Sequence, residues 1–316
     1  MMRRSSSRTA EAVSRPPNED WKPAVEKPLR GQVALVAGAT RGAGRAIAVS
    51  LGLAGASVYA SGRSVRGHPA TPGRPETIDE TAEMIRSYGG RAYAVRTDHT
   101  VEAQVKRLVE RIRRREHGRL DILVNDIWGG EELTEWGQPP WTMSYRLGRT
   151  MLERAVLSHI LTSRYAVPLM VKRERGIVFE ITDGDHLEYR GSFFYDLVKS
   201  TVIRLALAYH EEFEEAKLRH LSAVAVTPGF LRSEFMLDNF RVTEENWRDA
   251  ATRVRRFLFS ETPYFLGRAI VALAADPRVH SKSGKVFGSW TLAKEYGFTD
   301  RNGTRPDWGK AFREKG

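Results

Sequence analysis

Short apolar runs alternate with amphipathic stretches along most of the chain. The apolar runs predict seven strands, at Val33–Ala37, Ala56–Ser61, Arg91–Val95, Asp121–Asn125, Gly176–Thr182, Leu221–Val226 and Lys285–Gly288. Apolar positions at helical spacing predict helices between them, at 46–53, 77–88, 102–115, 150–172, 195–213 and 263–274. Repeated strand–helix units at short spacing favour an α/β fold, a doubly wound parallel sheet with helices on both faces.

Three stretches do not follow this repeat. Residues 64–75 form a basic loop rich in Gly and Pro, 129–147 carries Trp136 and Trp141, and 230–261 carries several aromatic residues, among them Trp247 and Phe257. Ligands of such sheets bind beyond the carboxyl ends of the strands, where long excursions often form lids or substrate loops. The aromatic residues would serve equally well as substrate contacts or as local cores.

The composition favours one large domain over two full ones. The chain has 316 residues and is 41% apolar. We expect a basic, flexible tail at 1–30, from which Trp21 could dock on the body, because this segment is polar and shows no sustained period. A catalytic domain follows at 31–290, with a substrate lid at about 230–261, and a C-terminal extension at 291–316.

The charge pattern does not favour a nucleic-acid partner. The net charge is +11, but the basic residues alternate with acids along predicted helices such as 101–117, as on solvated helix faces. No apolar run reaches membrane-spanning length, and the start of the chain leads into polar residues, so we expect neither a membrane anchor nor a signal peptide. The chain has no cysteine, which excludes disulfides and thiolate catalysis. We expect a cytoplasmic protein with a small-molecule substrate and no metal site.

The first predicted strand leads into a turn with three glycines before a predicted helix. Glycine permits a sharp turn, close approach of a pyrophosphate to the backbone, and tight packing of helix on strand. The free N–H groups and the dipole at the helix start favour an anion there. An ordinary tight turn is the alternative, but the position between strand and helix favours a dinucleotide. The predicted contacts are Gly38, Thr40, Arg41, Gly42, Ala43 and Gly44.

The second predicted strand ends in Ser61-Gly-Arg-Ser64, without the acid that usually holds the ribose 2′-hydroxyl of NAD. The guanidinium groups of Arg63 and Arg41 would instead suit the 2′-phosphate of NADP. We therefore expect NADP rather than NAD, with Arg63 and Ser64 among its contacts. The alternative is that one or both arginines are ordinary surface charges.

Tyr195 and Lys199 are four residues apart on a predicted helix, so their side chains share one face. A nearby ammonium stabilises a phenolate and lowers the pKa of the tyrosine. We therefore predict that Tyr195 is a general acid/base near neutral pH. This spacing is common by chance, and its weight comes from its position after the fifth strand of a dinucleotide fold.

Together these motifs resemble the short-chain dehydrogenase/reductase family, over about residues 31–288. The glycine turn is similar to the T-G-x-x-x-G-x-G motif of that family, with Ala37 in the place of Thr. The resemblance implies a Rossmann-like fold, self-association as a dimer or tetramer, and a contact between Lys199 and the nicotinamide ribose. It also implies cofactor contacts after the third, fourth and sixth strands, from Asp98, Asn125, Pro228, Gly229 and Ser233.

Several positions depart from the family pattern. The catalytic serine of the family, counted back from Tyr195, falls on Thr182, whose hydroxyl can still bond a substrate carbonyl, with Asp183 beside it. The motif after the fourth strand, Asn125-Asp-Ile-Trp-Gly-Gly130, is changed and lengthened.

The asparagine that supports a proton relay in this family falls on Ala155. A methyl side chain cannot hold a water, so we expect a different proton route, with Ser158 or His159 as candidate substitutes. His159 is alternatively a packed helix histidine. These changes, together with 260–263 and 292–297, resemble the branch of proteins similar to dehydrogenase/reductase SDR family member 1.

Two hypotheses follow for the function. In the first, an NADP-dependent oxidoreductase transfers a hydride between the nicotinamide and a carbonyl or alcohol carbon of a fairly apolar molecule. Tyr195 exchanges the proton with the substrate oxygen, Lys199 tunes Tyr195 and holds the ribose, and Thr182 orients the substrate oxygen. In the second, the chain is a weakly catalytic or non-catalytic dinucleotide-binding redox sensor, as Ala155 and the changed fourth-strand motif suggest. The Tyr195–Lys199 pair favours the first, because a pure binder has no need for it.

Overall fold

The computed structural model describes residues 27–186 and 188–313. Most of the predicted tail at 1–30, including Trp21, therefore lies outside the described residues, as do the last three positions of the predicted extension. Leu29, just before the predicted start of the body, is fully buried, and its N–H donates to the carbonyl of Ala54 at 2.9 Å. Within these ranges no helix has both the length and the apolar content that a membrane crossing requires.

Seven strands form one sheet in the order β3-β2-β1-β4-β5-β6-β7, and every neighbouring pair is parallel. They are β1 Val33–Ala37, β2 Ser57–Gly62, β3 Arg91–Arg96, β4 Ile122–Asn125, β5 Gly176–Ile181, β6 Leu221–Thr227 and β7 Val286–Gly288. The strand order reverses between β1 and β4, which makes this the switch point where such sheets bind ligands. The prediction of a doubly wound parallel α/β fold is confirmed.

Helices cover both faces of the sheet. They are α1 Gly42–Leu53, α2 Ile78–Ser87, α3 Glu102–Arg115, α4 Tyr145–Leu152, α5 Ser158–Val171, α6 Phe193–Glu215, α7 Glu234–Phe240, α8 Pro263–Ala275, α9 Ser289–Tyr296 and α10 Trp308–Arg313. Residues of α1, α2 and α8 pack on one face in one apolar core, and residues of α3, α5 and α6 pack on the other face in a second core. Because both faces are covered, β1, β4 and β6 are buried along their whole length.

The predicted helix at 150–172 differs in the structure. It begins at Tyr145 as α4, passes through a π-helical turn at Glu153–Leu157, and continues as α5. A π turn closes i→i+5 hydrogen bonds and shifts the periodicity, so an apolar pattern with a period of 3.6 does not reveal it. The turn contains Ala155, which is buried, and the guanidinium of Arg154, which donates to the carbonyl of Gly129 at 3.0 Å.

The 230–261 segment contains α7 and two 3₁₀ turns, Trp247–Thr252 and Arg255–Phe259. Trp247 and Phe257 pack with residues of the same segment in a small core of their own, so the local-core alternative holds for them. Met236 lines the cleft at the edge of the sheet, and Phe230 both lines the cleft and packs on this small core. The segment thus combines a self-packed outer part with an inner side that faces the candidate site.

Candidate active site

A cleft of about 540 Å³ lies at the carboxyl ends of the strands. Most of the predicted site residues line it: Gly38, Thr40, Arg41, Gly42, Ala43, Arg63, Ser64, Asp98, Thr182, Tyr195, Lys199, Pro228, Gly229 and Ser233. Gly44 and Asn125 are not among its lining residues. The topology therefore brings together motifs that are far apart in sequence, because each follows the end of a parallel strand.

The glycine turn joins β1 to α1 where backbone segments approach one another too closely for a Cβ atom. A Cβ on Gly38 would lie 2.3 Å from the carbonyl oxygen of Asp126, and a Cβ on Gly44 would lie 2.3 Å from the carbonyl oxygen of Gly38. Gly44 thus permits tight packing behind the turn and does not face the cleft. Gly42 has a φ of +55° and presents its backbone to the cleft. This surface of bare backbone at a helix start suits an anion.

The two predicted phosphate-binding arginines line the same cleft. Arg41 donates to the hydroxyl of Thr71 at 3.2 Å and lies 4.0 Å from the carboxylate of Glu76. Glu76 is also held by two contacts from Arg74, which compensate its charge. Burial alone would raise the pKa of Asp98, but hydrogen bonds from Thr100 and the charge of Arg63 bring the pKa below its usual value.

Asn125 belongs to a buried polar network behind the cleft. Its amide donates to Ser163 Oγ at 2.9 Å and to Glu180 Oε1 at 2.8 Å. His159 bonds the other Glu180 oxygen at 2.7 Å and the carbonyl of Ile127 at 2.9 Å. These bonds tie β4, β5 and α5 together, so Asn125 shapes the cleft from behind. His159 is the packed histidine of the second alternative, with both ring nitrogens bonded.

The candidate substitute Ser158 is also occupied. Its hydroxyl donates to the carbonyl of Arg154 at 2.5 Å, inside the helix. Neither predicted substitute for the missing asparagine therefore presents a free polar group to the cleft.

Tyr195 lies in the first turn of α6, between two tryptophans. Its ring centroid is 5.5 Å from that of Trp128 and 5.1 Å from that of Trp136. Its hydroxyl donates to Asp183 Oδ2 at 2.8 Å. Burial and the carboxylate of Asp183 raise the pKa of Tyr195 well above its ordinary value. The predicted lowering of this pKa is therefore wrong for this geometry, because it considered only Lys199.

Lys199 is one turn further along α6 and half-buried. Its ammonium lies 4.2 Å from the ring centroid of Trp128 and 5.6 Å from that of Tyr195. Burial lowers the pKa of Lys199, against the opposing charges of Asp183 and Asp126. Burial in turn raises the pKa of Asp126 to about 7, although Lys199 opposes this rise.

Thr182 is at the carboxyl end of β5, but its hydroxyl turns toward α6. It donates to the carbonyl oxygen of Lys199 at 2.7 Å. This bond holds the helix that carries Tyr195 and Lys199 against the end of the strand. The hydroxyl proton is thus committed to the backbone, unlike the free donor that a role in orienting a substrate oxygen requires.

The cleft is also lined by residues outside the predicted set of catalytic and cofactor contacts, among them Asp126, Trp128, Trp136, Asp183, Glu234 and Trp308. Asp126, Trp128 and Asp183 follow strand ends, a signal that could have marked them. Glu234 carried no such signal. Its carboxylate accepts the N–H of Gly42 at 2.8 Å and lies 3.8 Å from the guanidinium of Arg45.

The donors around the glycine turn fit the dinucleotide that the fold implies. The turn offers backbone that a Cβ would fill, and arginines lie on the side of the turn toward β2 and β3. Among the described residues, Arg45 Nη1 and Glu234 Oε1 are buried without a hydrogen-bond partner beside this turn. The two atoms lie 3.8 Å apart as an ion pair, so Arg45 places positive charge beside the turn and Glu234 balances it.

Comparison with known proteins identifies the family. The family model described as short chain dehydrogenase matches residues 32–244. Dehydrogenase/reductase SDR family member 1 of Mus musculus is 33% identical over 281 residues, which cover 87% of this chain and 85% of the mouse protein. The Homo sapiens protein of the same name is 32% identical over the same shares. The predicted branch is thereby confirmed.

Solved structures agree with this assignment. A crystal structure assigned as a short-chain dehydrogenase/reductase from Burkholderia xenovorans has a TM-score of 0.67 and 25% identity, and the match covers 83% of this chain and 95% of that one. Another, assigned as an NAD(P)-dependent gluconate 5-dehydrogenase from Beutenbergia cavernae and holding NADP at low occupancy, has a TM-score of 0.65 and 24% identity, with 83% and 96% covered. The chain belongs to the short-chain dehydrogenase/reductase family and is an NAD(P)-dependent oxidoreductase that acts on alcohol or carbonyl groups.

Proposed function

We propose that this chain is an NADP-dependent oxidoreductase that interconverts an alcohol and a carbonyl group on a fairly apolar small molecule. One observation carries the proposal: Tyr195 and Lys199 lie on one helix face inside the cleft that begins at the glycine turn. The cleft thus joins a dinucleotide cradle to a phenol that can exchange a proton.

The residues that would hold the cofactor divide into two groups. Near the glycine turn, the backbone of Gly38, Thr40, Gly42 and Ala43 would meet the pyrophosphate, and Arg41, Arg63, Ser64 and Asp98 would meet the adenosine half. Pro228, Gly229, Ser233 and Lys199 would meet the nicotinamide half. When bound, the nicotinamide supplies the hydride donor or acceptor.

The preference for NADP rests on charge. Arg41 from the turn after β1 and Arg63 from the end of β2 both line the cleft, and the carboxylate of Glu76, 4.0 Å from Arg41, is also paired with Arg74. A phosphate would gain charge-assisted hydrogen bonds from two guanidinium groups, whereas a neutral ribose hydroxyl would gain little from them.

The side chains of the cleft determine the acid/base chemistry. Since burial and Asp183 raise the pKa of Tyr195, the phenol stays protonated at neutral pH and can donate to a substrate carbonyl oxygen. The ammonium of Lys199 stabilises the negative charge that this donation leaves on the phenol oxygen. Thr182 positions Lys199 through its bond to the backbone.

The apolar wall of the cleft favours an apolar substrate. Trp128 and Trp136 flank Tyr195, and Phe230, Phe235 and Met236 approach from the lid segment. Rings and a thioether bury apolar surface well and leave few polar groups to satisfy.

The test is NADPH consumption with a panel of apolar ketones, aldehydes and quinones. We expect turnover by the wild type and a loss on the order of 100-fold or more in Tyr195→Phe, as is usual for removal of a general acid. Tyr189→Phe is the matched control, because Tyr189 is 61% exposed, outside the cleft lining, and should keep full turnover. Full turnover by Tyr195→Phe would refute the mechanism. Tight NADPH binding without turnover of any panel member would favour the redox-sensor alternative.

We also propose a cytoplasmic homodimer or homotetramer. Tyr145 on α4, Leu157 in the π turn and Ile160 on α5 are large apolar side chains that are 75%, 54% and 40% exposed. Exposed apolar surface of this kind is typical of subunit interfaces. Sedimentation of the purified chain would measure the number of subunits, and a monomer at all concentrations would contradict the proposal.

A further inference from the structure

Asp183 makes a contact to the reactive phenol that its position in the sequence does not explain. It follows Thr182 at the end of β5, is half-buried, and accepts the hydroxyl proton of Tyr195 at 2.8 Å. The N–H of the next residue, Gly184, donates to Thr227 Oγ1 at 2.8 Å, which fixes the backbone beyond Asp183. The backbone that carries Asp183 is therefore held by the ends of both β5 and β6.

The other groups near Tyr195 are committed elsewhere. The Thr182 hydroxyl donates to the backbone of α6, Ala155 has no polar side chain, and both nitrogens of His159 are bonded. The ammonium of Lys199 lies over the ring of Trp128. Within residues 27–186 and 188–313, the side-chain partner that the structure shows for the Tyr195 hydroxyl is the carboxylate of Asp183.

We propose that Asp183 is the proton-exchange partner of Tyr195. It takes the phenol proton when Tyr195 accepts one from a substrate alcohol, and it returns that proton in the reverse reaction. The inference rests on the proposed function, in which Tyr195 exchanges a proton with the substrate. It supplies the proton route that Ala155 leaves open.

Alcohol oxidation transfers one hydride and one proton away from the substrate. The substrate C–H bond breaks and its electron pair leaves with the hydrogen to the nicotinamide, so the alcohol is oxidised and the nicotinamide is reduced. The substrate O–H proton moves to the Tyr195 oxygen, while the original phenol proton moves to Asp183 Oδ2. Asp183 then releases one proton to water. Carbonyl reduction runs through the same bonds in reverse and needs Asp183 to be protonated first.

This arrangement predicts opposite pH dependences for the two directions. Oxidation delivers a proton through Asp183 to water and gains as the pH rises, whereas reduction takes up a proton by the same route and gains as the pH falls. The charges that face the pair come from several elements: Lys199 on α6, Asp126 after β4, Glu131 in the following loop, and Arg190 in the loop before α6. Arg190 is itself paired with Asp196 at 3.1 Å.

The first test observes the phenol directly and needs neither cofactor nor substrate. Phenolate absorbance is titrated in wild type and in Asp183→Asn, and the spectrum of each matching Tyr195→Phe variant is subtracted. Removal of the negative charge should lower the pKa of Tyr195 by about one pH unit or more, a tenfold change in its acid dissociation constant. Asp185→Asn is the control, because Asp185 bonds His186 at 2.5 Å and should leave the phenol unchanged. An unchanged phenolate titration in Asp183→Asn would overturn the proposal.

The second test measures turnover. Asp183→Asn should lose on the order of 100-fold in kcat with little change in KM, and its pH profile should flatten. Added formate should restore turnover to Asp183→Gly, since a small carboxylate can occupy the vacated space. Asp183→Ser serves as a second variant if the asparagine protein does not fold, with the same losses expected. A wild-type kcat and pH profile in Asp183→Asn or in Asp183→Ser would overturn the proposal. Full turnover by Tyr195→Phe would instead overturn the proposed function.

Discussion

The carboxylate of Glu234 occupies a backbone N–H of the glycine turn that the pyrophosphate of a dinucleotide would need. This carboxylate accepts the Gly42 N–H at 2.8 Å, at the start of α1, and is only 3% exposed. This is the donor group that the glycine turn would offer to an anion. Replacement of Glu234 by Gln keeps the size and one acceptor but removes the negative charge. We therefore expect Glu234→Gln to bind the dinucleotide more tightly than the wild type.

The size of the effect follows from this one bond. A hydrogen bond to a charged group contributes about 1.5–3 kcal/mol, and a neutral one about 0.5–1.5 kcal/mol. The bond that a pyrophosphate must displace is therefore weaker in the variant by about 1 kcal/mol, which corresponds to roughly a fivefold lower Kd. Loss of repulsion between the carboxylate and the phosphates adds to this gain. Arg45 keeps its partner Glu80 at 2.9 Å, so its charge stays compensated.

The assay is a fluorescence titration of NADPH into wild type, Glu234→Gln and Asp238→Asn. Asp238 is the matched control, because it lies on the same helix α7 but contacts Arg74 at 2.5 Å and not the glycine turn. Its variant should bind NADPH with wild-type affinity if competition at Gly42 is the cause. An unchanged or higher Kd in Glu234→Gln would show that the Glu234 carboxylate does not compete with the dinucleotide. An equal gain in both variants would show that general loosening of α7 is the cause.

Three further perturbations test other parts of the account. Arg63→Ala should raise the Kd for NADPH about tenfold or more and leave the Kd for NADH nearly unchanged, because it removes a charge-assisted phosphate contact worth about 1.5–3 kcal/mol. Paired titrations measure the ratio of the two Kd values. An equal loss of affinity for both dinucleotides would contradict the contact between Arg63 and the 2′-phosphate. Gly44→Ala should lower the free energy of unfolding by about 1–3 kcal/mol, since its Cβ would lie 2.3 Å from the carbonyl oxygen of Gly38. Denaturant unfolding measures this change. An unchanged free energy of unfolding would show that the turn relaxes around the methyl group. Burial raises the pKa of Glu261 to about 8, so the folded state holds a proton that the unfolded state loses near its ordinary pKa of 4.5. Its contribution to stability is therefore complete below about pH 4.5 and lost as the pH rises to about 8. The Tm of Glu261→Gln should depend less on pH in this window than the Tm of the wild type. Equal slopes of Tm against pH would exclude Glu261 as the source of the pH dependence.

The sheet and the glycine turn could be predicted because their signals are local. Buried parallel strands such as β1 and β4 are short apolar runs, and the turn between β1 and α1 needs glycines at Gly38 and Gly44 because their Cβ atoms would meet backbone. The alternation of strands and helices then fixes which strand ends share an edge. Tyr195 and Lys199 were found for the same reason, since helical spacing alone places them together.

The polar contacts of the site could not be predicted, because they join distant segments. Glu234 is 192 positions from Gly42, and no periodicity relates the two. The partner of Tyr195 depends on the path of the loop after β5, which places Asp183 at the phenol and turns Thr182 toward α6. The sign of the pKa shift of Tyr195 depends on this contact and on burial, and sequence spacing reveals neither.

A paired titration of the wild type with NADPH and NADH tests whether the cleft binds a dinucleotide and prefers the one with a 2′-phosphate. Trp128, Trp136 and Trp308 line the cleft, so tryptophan fluorescence should report occupancy. We expect saturable quenching by both dinucleotides, with the lower Kd for NADPH. Equal affinities would contradict the assignment of Arg41 and Arg63 to a 2′-phosphate, and no binding of either dinucleotide would contradict the cleft itself as the cofactor site.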